Sequence, residues 1–180
     1  MARPRRIYWD TSCFICFLNR REIERRAICE DVLRHAQAGR IELHTSVWTI
    51  AEVVGPKRKS LPTATRLTAP QIAAVEGMFR WSWVKKLDVE QRVAFKAVQL
   101  SRDFGLSPSD AIHAATAIVW QLDALQKWDR DFSRIGHLMT VEEPVRLTAP
   151  GAQTPLAGPG FDPPRLGPHP DDFEEPGTGA

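Results

Sequence analysis

Arg6-Ile-Tyr-Trp-Asp-Thr-Ser-Cys-Phe-Ile-Cys-Phe-Leu18 is the stretch from which the fold can be read. Ile7 to Trp9 is apolar and aromatic, too brief for a helix but suited to a strand buried on both faces. Asp10 follows at once. Thr11 and Ser12 are good N-caps, and Cys13 to Leu18 is an apolar helical run. A carboxylate at the carboxyl end of a strand, beside a helix N-terminus, stands where open α/β sheets place their ligand chemistry. Within this segment alone, simple capping by Asp10 is an equal explanation. The other acids break the tie.

Strand and helix continue to alternate along the chain. Glu22 to Ala38 carries Ile23, Ala27, Ile28 and Leu33 at helical spacing, with Gly39 as its stop. Ile41 to Thr45 alternates like a strand and passes through Ser46 into a helix from Val47 to Val54 that holds one acid, Glu52. Lys57 to Ala69 is basic, contains Pro and has no period, so it reads as a loop. Pro70 to Phe79 reads as a helix and Trp81 to Leu87 as a third strand. Val89 to Phe104 is amphipathic through Val93, Ala97 and Leu100, with Gly105 as its stop. Ser107, Pro108 and Asp110 form a capping box ahead of an Ala-rich helix that runs to about Trp120. Leu122 to Trp128 reads as a fourth strand and Leu138 to Leu147 as a Pro-interrupted edge strand. This pattern predicts a three-layer α/β/α sandwich around a mostly parallel sheet.

At 180 residues, 43% hydrophobic and 26% charged, the chain suits one well-buried domain. Residues 148–180 turn to Pro, Gly and acids and cannot build a core, so they read as a disordered tail behind a domain of residues 1–147. No apolar run approaches a membrane span, and three cysteines within the first thirty residues give no disulfide framework. The expectation is a cytoplasmic protein with no membrane contact. The tail sets Asp162, Asp171, Asp172, Glu174 and Glu175 against Arg165 alone, so a net charge of +2 hides a basic body. Bases at Arg3-Arg5-Arg6, Arg20-Arg21-Arg25-Arg26, Lys57-Arg58-Lys59 and Lys85-Lys86 suit a polyanion such as RNA.

Asp10 ends the first strand, Asp110 opens a helix, and Asp129 follows the fourth strand. In a parallel sheet all three lie at the carboxyl edge, and Glu52 leans over it from the helix after the second strand. Crowded carboxylates raise one another's pKa unless a cation neutralises them. A set of hard oxygens without His or Cys points to Mg²⁺ or Mn²⁺, metals that activate water and steady charge on a phosphodiester.

The run Tyr8-Trp9-Asp10-Thr11-Ser12, Val47-Trp-Thr-Ile-Ala-Glu52-Val, Ser107-Pro-Ser-Asp110-Ala-Ile-His-Ala-Ala-Thr-Ala117 and Asp129-Arg-Asp131-Phe132 resembles PIN-domain proteins, most of all the bacterial VapC-type toxins. The resemblance covers roughly residues 6 to 147. It implies a Mg²⁺- or Mn²⁺-dependent endoribonuclease with a four-acid catalytic site, carried here onto Asp10, Glu52, Asp110 and Asp129. Of these, Asp10, Asp110 and Asp129 are expected to hold the metal and Glu52 to act through water. It further implies an antitoxin partner and a homodimer, for which the apolar stretch Ile72 to Phe79 offers a face. The chain departs from the family in placing Lys127 and Trp128 before Asp129, where Thr or Ser and then a small residue are usual. A bulky aromatic and an ammonium there can crowd a metal or replace part of its charge. Asp131 is the substitute ligand, although an acid capping the turn at Phe132 explains it more simply.

Other signals are weaker. Cys13-Phe-Ile-Cys16 has the thioredoxin spacing, but its apolar spacer favours two packed thiols. His113 reads as a residue at the helix rim, and Trp81, Trp83 and Trp120 read as core. Two rival functions stand. A phosphatase of the haloacid dehalogenase type also places Asp after its first strand, but it wants a second Asp where this chain has Ser12. The other is a PIN-like module that binds RNA or protein without cutting.

Overall fold

The computed structural model describes residues 3–18, 22–54, 73, 76–128 and 131–148. The reading of Lys57 to Ala69 as a loop lies outside them, as does the reading of residues 148–180 as a tail beyond Thr148, which itself is bound to Asp31. Strands β1 (Arg5–Trp9), β2 (Ile41–Ser46), β3 (Val84–Leu87), β4 (Ala124–Gln126) and β5 (Val141–Glu142) form one parallel sheet in the order β3-β2-β1-β4-β5. The strand order reverses between β1 and β4, and the crevice at such a reversal is where these sheets bind ligands. Helices α1 (Thr11–Leu18), α2 (Ile23–Gln37), α3 (Val47–Val54), α4 (Gln91–Phe104) and α5 (Pro108–Val119) connect the strands.

Alternation along β1 sends Ile7 and Trp9 to one face and Tyr8 to the other. Ile7 and Trp9 pack with Phe14, Phe17, Val32 and Leu33 of α1 and α2. Tyr8 packs with Val93 and Leu100 of α4, Ala111 and Ala114 of α5, and Leu125 of β4. The three layers follow. Alanines at 111, 114, 115 and 117, all fully buried, let α5 lie close to the sheet and to α4. Gly105 ends α4 in the left-handed region at φ 65°, a conformation that disfavours any side chain.

Several elements are shorter than the sequence pattern suggests. The third strand starts at Val84 because Trp81 and Trp83 stack at 4.7 Å around a turn closed by the Val84 N–H on the Trp81 carbonyl. The fourth strand begins at Ala124, since Asp123 spends its carboxylate on the Arg6 N–H at 2.7 Å. The fifth is two residues long. Pro144 cannot donate to a ladder, and the N–H groups of Leu147 and Thr148 turn instead to Asp31. Ile23, expected on the packed face of α2, is 75% exposed.

Asp31 is a buried carboxylate within α2 that accepts from Leu147 N at 2.7 Å, Thr148 N at 3.0 Å and the Thr148 hydroxyl. Burial opposes its charge, but the Thr148 and Leu147 hydrogen bonds prevail and hold its pKa below the ordinary range. A depressed carboxyl stabilises the fold at neutral pH and loses that contribution as acid protonates it. Asp31→Ala should therefore cost about 2 kcal/mol at pH 7, read by urea unfolding, and progressively less towards pH 3.

Candidate active site

Asp10 directly follows β1, and its N–H donates to the Gln126 carbonyl at 3.3 Å. It is itself the cap of α1: Oδ1 accepts from Cys13 N at 3.3 Å. The expectation that Thr11 and Ser12 cap this helix is therefore corrected. Both lie inside it, and both face the site. The Ser12 hydroxyl donates to Asp10 Oδ1 at 2.6 Å and accepts from Trp128 N at 3.0 Å. Asp10 is only 5% exposed, and burial raises its pKa against the opposing influence of Ser12, His113, Lys127 and the Cys13 N–H.

Glu52, on the second turn of α3, is the knot between helices. Its Oε2 takes the Thr11 hydroxyl of α1 and stands 2.7 Å from His113 Nε2 of α5, while Oε1 takes the Ser109 hydroxyl of α5. Trp48 Nε1 in turn donates to Ser109 Oγ at 3.2 Å. Partial burial disfavours the Glu52 charge, but His113, Ser109 and Thr11 outweigh it and hold the pKa down at about 2.

His113 is 2% exposed, which corrects its reading as a rim residue. Its Nδ1 lies 2.8 Å from the Tyr8 hydroxyl. Because Glu52 is a carboxylate, Nε2 must carry a proton, so in the neutral ring Nδ1 accepts from Tyr8. The signal was present in the sequence: His113 is one turn beyond Asp110, and Tyr8 shares a strand face with Asp10. Asp110 is the third residue of α5. Its N–H donates to the capping Ser107 Oγ at 3.2 Å, and its Oδ2 accepts from that hydroxyl at 2.6 Å.

At the sheet edge Glu52 is bound by Thr11, the neighbour of Asp10, and by Ser109, the neighbour of Asp110. Asp129 lies outside the described residues. Among the described residues no three His, Cys, Asp or Glu side chains gather closely enough to hold a metal ion. The donor chemistry nonetheless fits a hard divalent cation. Asp10 is a desolvated carboxyl that a cation would relieve, Asp110 supplies oxygen, and His113 is engaged at both nitrogens. Glu52 is committed to protein donors.

Lys127 and Trp128 point to opposite sides of the sheet. Trp128 packs against the core of α1 and α2 beneath the Arg25 guanidinium, 5.1 Å from its ring, so it does not crowd Asp10. Lys127 is 2% exposed with Nζ 3.5 Å from the Phe132 ring centre, in the core that holds Tyr8.

Not every basic cluster is a free surface. Arg3 pairs with Asp123 at 2.6 Å and Arg5 with Glu142 at 2.9 Å, and Arg6 stands 4.0 Å from Glu42, where they fasten the start of β1. Lys85 pairs with Glu42 at 2.9 Å. Cys13 and Cys16 are free buried thiols, as read from the sequence, and Cys29 is a third. Met78 and Phe79, in the stretch offered as a dimer face, are already buried within the domain.

Fold and site together define a parallel α/β domain with carboxylates at the carboxyl edge of its topological reversal. The sequence model of the PIN domain matches residues 7–138, and the chain belongs to that family. PIN domains are generally nucleases and typically use divalent metal ions. Among solved structures the chain is similar to a toxin-antitoxin complex from Klebsiella pneumoniae, at 23% identity and a TM-score of 0.53, over 78% of this chain and 99% of that one. The likeness shows the fold. No curated protein matches the sequence. Among the described residues no helix is long and apolar enough to cross a membrane.

Because the Glu52 pKa is depressed, its hydrogen bonds stabilise the fold above about pH 4.5 and are lost as pH falls towards 2. Glu52→Gln should lower stability at pH 7 by about 1 to 2 kcal/mol, allowing for solvent screening, with the deficit shrinking at pH 3. Urea unfolding at the two pH values measures this. A deficit that grows in acid would contradict the assignment.

Proposed function

We propose that this protein is a VapC-type endoribonuclease, the toxin of a toxin–antitoxin pair, that cleaves RNA phosphodiester bonds in the cytoplasm. The observation that carries this reading is the desolvated Asp10 carboxyl at the strand reversal, tied by Thr11, Glu52 and Ser109 to the helix that bears Asp110. Asp10, Asp110 and Asp129 would hold Mg²⁺ or Mn²⁺. When bound, the cation supplies a lowered water pKa and charge neutralisation at the scissile phosphate.

The protein's own groups do the rest. Ser12 and the Cys13 N–H fix the orientation of the Asp10 carboxylate through Oδ1. Glu52 stays ionised at neutral pH and keeps α1, α3 and α5 in register at the edge, where it can order water beside the acids. His113 holds Glu52 and is itself held by Tyr8. The basic body attracts RNA, although the Arg3 to Arg6 cluster serves folding, so recognition falls to bases such as Arg25, over Trp128.

The similarity to a chain of a toxin-antitoxin complex supports an antitoxin partner, and free thiols support a reducing cytoplasm. A homodimer remains part of the proposal. Its apolar face moves from Ile72–Phe79 to α4, where Phe95 and Val98 are 67% and 65% exposed one turn apart.

Wild type should cleave RNA with Mn²⁺ and not with chelator, and Asp10→Asn should lose several orders of magnitude in rate while remaining folded. Binding to uncleaved RNA should persist in the variant and weaken steeply with salt. The metal-free variant should be the more stable at pH 7, because a raised carboxyl pKa means the ionised form is disfavoured in the folded state. RNA binding without metal-dependent cleavage by the wild type would establish the non-cutting module instead. Equal cleavage in all four reactions would mark a contaminating nuclease.

A further inference from the structure

The register of β1 and β4 places a charge that the acid set does not account for. Ile7 pairs with Ala124, Tyr8 with Leu125 and Trp9 with Gln126, and the Asp10 N–H continues the ladder onto the Gln126 carbonyl. One position further, Asp10 stands opposite Lys127. Strand alternation fixes the face. Trp9 and Gln126 meet on the side of α1 and α2, where Trp9 Nε1 donates to Gln126 Oε1 at 2.8 Å. Tyr8 and Leu125 share the opposite side, and Asp10 and Lys127 follow them.

Two further observations fix the ammonium there. Its stem is buried, and Nζ stands 3.5 Å over the ring of Phe132, which belongs to the same core as Tyr8 and Leu125. Lys127 is among the groups whose charge acts on Asp10. With Lys127 2% and Asp10 5% exposed, little water screens them from each other.

We infer that Lys127 is a positioning residue of the candidate centre, a built-in positive charge set beside Asp10 by the strand register, against which a divalent cation must bind. This inference rests on the proposed metal-dependent reading. It makes the metal-free site more tolerable and the metal more weakly held, because a divalent cation drawn to the carboxylates meets like-charge repulsion from the ammonium in a poorly screened place.

The test needs no turnover. Lys127→Met keeps an unbranched stem over Phe132 and removes the charge; Lys127→Gln is a second neutral form should the first fold poorly, and Lys127→Arg keeps the charge. Calorimetric titration of the full chain with MnCl₂ should show at least about tenfold tighter binding in the neutral variants and little change in Lys127→Arg. In metal-free protein, urea unfolding of Lys127→Met, Asp10→Asn and the double variant should show a favourable coupling between the two positions. Measurable but equal Mn²⁺ affinity in wild type and neutral variants, or weaker affinity in the neutral variants, overturns the role of Lys127 and leaves the metal reading intact. No Mn²⁺ binding by any form, with the coupling present, overturns both the metal reading and the competition inferred from it. Absence of coupling overturns the pairing itself.

Discussion

A carboxylate almost wholly removed from water is the constraint on which this structure turns. Burying an ionised carboxyl is costly unless the surroundings replace its hydration. Around Asp10 the replacements are specific: the Ser12 hydroxyl, the Cys13 N–H at the start of α1, and positive charge from the neighbouring strand. None is accidental to the fold. The N–H comes from the first turn of a helix, where backbone donors are otherwise unmatched, and β4 can bring Lys127 there only because it pairs with β1. The compensation is incomplete, since the Asp10 pKa is still raised.

Glu52 shows the opposite balance on the same edge. It too is partly removed from water, yet its pKa falls to about 2 because Thr11, Ser109 and His113 all serve it. Two acids at one edge are thus set apart by their donors: one is held ionised by the protein, the other left short. This division argues for separate duties. Glu52 joins three helices and stays charged at neutral pH, whereas Asp10 keeps an uncompensated cost of burial. The Tyr8 hydroxyl behind His113 extends the Glu52 network into the core, and burial pushes that phenol's pKa up, so it remains a neutral partner.

Much of this was legible in the sequence because it follows from short-range rules. The β1 run, the Ser107-Pro108-Asp110 cap and the Gly105 stop identify their elements with no knowledge of the rest of the chain. Long-range uses of polar groups were not legible. Asp31 looks like one more solvated acid on α2 until the chain beyond β5 lays two N–H groups on it. Arg3, Arg5 and Arg6 look like an anion-binding patch until Asp123, Glu142 and Glu42 meet them from other strands and turn. His113 fell to the rim because helical spacing places a residue on a face without saying what that face meets. Asp129 remains an expectation from the sequence, outside the described residues.

The departure from the family pattern ahead of Asp129 is clarified by the period of a strand. Read along the chain, Lys127 and Trp128 look like a joint obstruction of one site. Read across the sheet, they belong to two environments, since successive side chains leave an extended backbone on opposite sides. The indole joins the core of α1 and α2 and is covered by Arg25, while the backbone N–H of Trp128 donates to the Ser12 hydroxyl, which in turn donates to Asp10. The ammonium goes to the side of Tyr8, the side of the acid. A position that in the family usually bears a neutral hydroxyl therefore carries a charge here, placed by the strand register and packed over Phe132. The chemical consequence of the departure is electrostatic rather than steric.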